Sequence, residues 1–145
     1  MAYKIPAASG GGASFSVQTG GTGNPADGAT YYLSTVNVVQ GFTASSAQTR
    51  LYMPKAGTIT AAYGNVTVSG TLGSAQNTTI ALRLNDTTNT NVTTTLTLDA
   101  ISANFSNGAL STAVAAGDFI DVLMICPTWN PNPTTVRVSI TFLVT

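Results

Sequence analysis

Side chains able to do chemistry are scarce in this sequence. Its acids are Asp27, Asp86, Asp99, Asp118 and Asp121, its bases are Lys4, Arg50, Lys55, Arg83 and Arg137, and it has neither His nor Glu. A Ser-His-Asp or Cys-His nucleophile needs an imidazole base, so neither can be built. Zinc sites draw on His and Cys, and this chain offers Cys126 alone. A glycosidase needs two carboxyl groups facing each other across a cleft. Asp118 and Asp121 stand three apart, which in a strand sends them to opposite faces. Asp86 and Asp99 lie in or beside turn sequences, where capping accounts for them. A Ca2+ site there would need further oxygen ligands gathered in one loop. We therefore expect a protein that is not an enzyme, with no catalytic residue, no cofactor and no metal.

Two further side chains stand out. Cys126 ends an apolar run and reads as a buried, inert thiol, and without a second Cys no intrachain disulfide can form. Trp129 lies in the stiff loop Pro127–Pro133 and admits two readings. It is either a plug at one end of the fold or an exposed platform for recognition.

The elements that must position these groups are strands. In Thr135–Val144 the apolar residues Val136, Val138, Ile140, Phe142 and Val144 fall on every second position. The same alternation recurs, less cleanly, over 48–53, 79–84 and 92–98. In 58–69 Ile59, Ala61 and Tyr63 share one phase and Val66 and Val68 the other. A β-bulge at Gly64–Asn65 would reconcile the two halves. Short strands are also expected at 30–33, 36–42, 101–105 and 110–114, the last two flanking an Asn107–Gly108 hairpin turn. With no helical period anywhere, eight to ten short antiparallel strands predict a single all-β domain, a β-sandwich with a jelly roll as the favoured topology. The run 118–125 is apolar on both phases except at Asp121. A sandwich strand normally shows one face to water. Phe119, Leu123 and Ile125 are therefore candidate subunit-interface residues.

Residues 1–28 differ from the rest. Ser9–Ser14 and Thr19–Pro25 are too rich in Gly to hold regular structure by themselves, and Tyr3, Ile5, Phe15 and Val17 are too few for a core. Two readings fit: a leader without order of its own, and an extended arm whose four apolar side chains dock on a neighbouring subunit. Residues 29–145 are then the sandwich domain.

Charged residues make up 7% of the chain and the net charge is zero, so nucleic acid and anionic membrane find no electrostatic hold. Thr, Ser and Asn must do the solvating, a surface suited to permanent assembly. The sequence shows no signal-peptide core and no apolar run of transmembrane length, which points to synthesis in a reducing cytoplasm.

Four stretches together resemble a known group: Asn24–Tyr32, Arg50–Ile59, Ile80–Asp86, and the run from Val114–Ile120 through Pro127–Trp129. They are similar to the C1q/TNF-like jelly-roll modules of tailed bacteriophages, found on capsid decoration proteins, head fibres and tail-fibre tips. The resemblance spans roughly residues 24–145 and its motifs are structural. It implies a homotrimer, and because this chain lacks the shaft repeats of tail fibres it favours decoration. The expected role is a trimeric decoration protein on the virion's capsid surface, made in the host cytoplasm. Its partners would be the major capsid protein and neighbouring decoration subunits, reached through the arm. The alternative is a tail-fibre or head-fibre tip binding a host surface glycan, with Trp129 as its platform.

Overall fold

The computed structural model describes residues 14–35, 41–71, 73, 76–98 and 102–145. The clean alternation at the C-terminus becomes a ten-residue strand, Thr135–Val144, with its five apolar side chains buried. Ten strands are formed among the described residues. In chain order they are β1 (Phe15–Gly23), β2 (Thr30–Thr35), β3 (Leu51–Tyr52), β4 (Gly57–Ser69), β5 (Asn77–Leu84), β6 (Thr88–Thr97), β7 (Ser102–Asn107), β8 (Thr112–Val114), β9 (Phe119–Ile125) and β10 (Thr135–Val144). One turn of 3-10 helix, Ser46–Gln48, precedes β3.

The pairings define the topology. β1 pairs with β10, β2 with β9, β4 with β7 and β5 with β6, a nested set in which early strands meet late ones. Rolling that long hairpin up adds β10 beside β4 and β9 beside β5. The first sheet therefore runs β1-β10-β4-β7 and the second β2-β9-β5-β6, with β8 added beside β4 and β3 beside β9. This is jelly-roll order. Strand β2 belongs to both layers, since Thr30–Leu33 pair with β9 while Ser34 and Thr35 pair with β1. One apolar core lies between the layers. Val66, Val138, Ile140 and Phe142 of the first sheet meet Leu33, Ile80, Leu82, Val122 and Met124 of the second.

Three expectations need correcting. First, the sandwich begins by Phe15, not at residue 29. β1 pairs with β10 along its whole length, and Phe15 and Val17 pack on the core, so neither is an arm anchor. The glycines that argued against structure are what let this strand fit. A Cβ on Gly20 would stand 2.6 Å from the Val138 carbonyl oxygen, and one on Gly23 would stand 2.7 Å from the Phe42 ring. The other two arm residues, Tyr3 and Ile5, lie outside the described residues, as does most of the expected strand at 36–42.

Second, the bulge in β4 falls earlier than Gly64–Asn65. Leu143 pairs with Ala61 but Val144 with Ile59, so Thr60 is the extra residue. Past it the phase is reversed: Ala62, Val66 and Val68 face the core, and Tyr63 turns outward. Third, Asn107–Gly108 closes no hairpin. The Asn107 side chain accepts a bond from Ala109 N at 2.9 Å, and the chain continues along β4, which takes β7 and then β8 as partners.

Candidate functional site

Half of the chain's charged side chains collect at one place, on and beside the outer face of the second sheet. Strand β5 supplies Arg83. The β5–β6 turn follows, closed by Thr87 N donating to Leu84 O at 2.9 Å. Its central residues Asn85 and Asp86 both take positive φ, +47° and +59°, which Asn and Asp tolerate better than most residues. Strand β9 contributes Asp121, and Asp118 just before it, and Arg50 arrives from the residue before β3.

Arg83 bridges two carboxylates, Asp121 at 2.9 Å and Asp86 at 2.5 Å, and Arg50 reaches Asp86 from the other side. Asp121 has no exposed surface. Burial raises its pKa, with Arg83 pulling the other way and falling short. For Asp86 desolvation also acts upward, but Arg83 and Arg50 together outweigh it and hold the carboxyl low. Asp118 is lowered by the bond it accepts from Ala115 N, and then by Asn85 Nδ2 at 2.9 Å. Both guanidinium groups also cover aromatic rings. Arg50 lies 4.2 Å from the Phe119 centroid and Arg83 lies 4.9 Å from that of Tyr32. Tyr52 tilts against Phe119 at 5.7 Å and is 64% exposed.

The carboxylates that come together are thus Asp86 and Asp121, which are 35 positions apart in sequence. Only the turn geometry could have announced that pairing. Arg83 contacts both of them, so the cluster pairs most of its own charges. Among the described residues, no group of three His, Cys, Asp or Glu is placed to hold a metal.

The expected interface residues share this face with Asp121. Leu123 is already buried within the single chain, flanked directly by Tyr32 on β2 and Ala81 on β5. Phe119 and Ile125 remain half-buried. The covering expected from a second subunit is therefore supplied at the strand's centre by the chain itself.

Trp129 is no platform. It is 3% exposed, its backbone N–H donating to Asp27 Oδ1 at 2.9 Å. The β1–β2 connection is tied to the same loop, with Gly28 N donating to Pro127 O at 3.0 Å. The plug reading holds, because an indole this large contributes most when desolvated. Trp129→Ala is expected to cost about 3–5 kcal/mol, read as a fall in the denaturation midpoint; an unchanged midpoint would contradict it. Cys126 is buried beside this loop and its thiol is pushed up to about 12 by that burial, so it stays protonated and unreactive at neutral pH.

No protein-family model matches this sequence, and no curated protein matches it. Among solved structures, a chain of the cyanophage Pam1 capsid asymmetric unit is similar over 100% of this chain and 94% of its own, at 10% identity and a TM-score of 0.51. A chain of the acidic-stable capsid of the Helicobacter pylori bacteriophage KHP30 is similar over 90% of this chain and 91% of its own, at 13% identity and a TM-score of 0.48. A chain of the disulfide-linked pili of Bacillus endospore appendages matches over 98% of both, at 15% identity and a TM-score of 0.43. At such identities the likeness is one of fold, and it is the Pam1 chain that supports the jelly-roll assignment. No helix among the described residues is long and apolar enough to cross a membrane.

Proposed function

We propose that this chain is a non-enzymatic structural protein of a bacteriophage virion. In this reading it is a homotrimer that decorates the outside of the capsid and reinforces it. The observation that carries the proposal is the outer face of the second sheet. Tyr52, Phe119 and Ile125 offer aromatic and apolar surface there, beside ion pairs that largely cancel one another. A contact surface of that kind suits a lasting partner, because few charges remain to be desolvated when it is covered. The fold likeness to a capsid chain of Pam1 supports a place on a viral shell, as does the resemblance to phage decoration modules.

The three sandwiches pack through Phe119, Ile125 and the rim of that face. The capsid-binding segment is the stretch before β1, residues 1–13, with Tyr3 and Ile5 as its apolar anchors on the major capsid protein and on neighbouring decoration subunits. The protein is made in the host cytoplasm and joins the particle there. Co-sedimentation with undecorated capsid shells tests this. Full-length protein is expected to pellet with the shells, and protein lacking residues 1–13 is expected to stay in solution while remaining folded. Shell binding undiminished by that deletion would overturn the role given to the segment.

A further inference from the structure

The bulge at Thr60 has a consequence on the opposite side of the molecule. Had β4 kept its phase from Ile59, Tyr63 would face the core. One inserted residue turns it out instead, onto the outer face of the first sheet, where it is 55% exposed. Bulges often re-aim a side chain in this way next to a functional site.

The surroundings of this ring are uncharged. Thr141 on β10 and Ser106 on β7 stand directly opposite Tyr63 across the two ladders, and Gln18 on β1 lies beyond Thr141. One outward step along, Asn65 is flanked by Ser139 and Asn104. The amide of Asn65 donates to Asn104 Oδ1 at 2.7 Å and to Ser102 Oγ at 2.9 Å, which fixes both neighbours in place. Asn104 is exposed, and accepting through Oδ1 keeps its two N–H donors for an outside acceptor. The one charged side chain on the outward rows of β1, β4, β7 and β10 is Arg137, about 13 Å along β10 from Thr141 at strand rise. Tyr63, Gly64, Asn104, Phe105 and Ser106 line an open cleft of about 370 Å³, within the size range of small-molecule sites.

We infer that this cleft is a binding site for a neutral saccharide, with Tyr63 as its stacking surface and Asn104, Ser106 and Thr141 as its hydrogen-bonding groups. The chemistry is complementary. A pyranose ring presents C–H groups on one face, which pack on an aromatic ring, and hydroxyls around its edge that both donate and accept. Amides and hydroxyls answer such groups in either sense, whereas an acidic sugar would bring a charge that finds no cation beside Tyr63. The groups sit on paired strands, so little ordering is needed on binding. This site is separate from the second-sheet face and does not depend on a capsid role.

An array of neutral hexose and N-acetylhexosamine oligosaccharides, printed beside sialylated and uronic acid ones, tests the inference with the full-length protein. Wild type is expected to bind at least one neutral oligosaccharide. Tyr63→Ala should weaken that binding roughly tenfold or more, a loss in the range of one aromatic contact. Arg137→Ala, which removes the one charge on the outward rows of these strands, should leave it unchanged. Melting curves of both variants close to wild type show that the fold survives. Absence of any neutral ligand, binding confined to acidic sugars, or undiminished binding by Tyr63→Ala would each overturn the assignment.

Discussion

Deleting residues 1–28 is expected to abolish folding, whereas deleting residues 1–13 is expected to leave the melting transition close to that of the full chain. The longer deletion removes β1, and with it the nine-residue ladder to β10 from Phe15↔Val144 to Gly23↔Val136. It uncovers the edge of β10 and strips Phe15 and Val17 from the core they pack against. Thr19, fully buried and donating to Ser34 O, goes with them. Each lost backbone bond is worth about 0.5–1.5 kcal/mol net, and two half-buried apolar side chains add to that. The sum rivals the ~5–15 kcal/mol by which a domain of this size is stable at all. The shorter deletion takes away none of the ten strands. Circular dichroism and thermal melts of the two truncations check this directly. A folded protein starting at residue 29 would show that β1 is dispensable.

Replacing Arg83 with Met is the second large effect. Asp121 then keeps its buried position between β2 and β5 but loses its cation. Leaving one partner of a buried ion pair uncompensated costs about 3–5 kcal/mol. The pH dependence should then shift as well. In the wild type, Asp86 and Asp118 have lowered pKa values, so the stability they contribute is present above the unfolded value of 3.8 and is lost as pH falls through their folded values. Asp121 is raised, so its ionised form weakens the fold, and that penalty disappears as the carboxyl takes up a proton. Without Arg83 the raised group dominates. Arg83→Met should therefore regain stability as the pH falls from neutral toward the unfolded value of 3.8, and by more than the wild type does. Denaturant titrations at several pH values across that window check it; a variant that only loses stability on acidification would contradict this account of the cluster.

How far the sequence disclosed the fold depends on what each signal can encode. Period-two alternation carried β10, β5 and most of β4 because their inward residues are mostly apolar and most of their outward ones polar. Strand number and short strand length were enough to favour a jelly roll, which the pairings then bear out. Alternation failed at β1, where Gly20, Gly21 and Gly23 have no side chain to alternate. Their smallness is imposed by the Val138 carbonyl and the Phe42 ring, which are distant in sequence. Asn107–Gly108 misled for a related reason. A turn dipeptide fixes local direction but not which strand the chain meets next.

The candidate sites were less legible. Phe119 and Ile125 could be found from the doubly apolar β9, but the ion-pair cluster beside Phe119 depends on residues from β5, β9, a turn and a loop. Tyr63 was assigned to the wrong face because a bulge can sit at any of several residues and leave the same apolar pattern. Trp129 illustrates the converse: its type suits both a core and a binding platform, and only its burial in the folded chain decides.

Sedimentation equilibrium of the purified full-length chain is the most direct test of the proposal that this protein works as an assembly. The account predicts a mass of three 14.7 kDa chains, with Ile125→Glu shifting it toward single chains. A wild-type protein that stays a single 14.7 kDa chain at high concentration would contradict it.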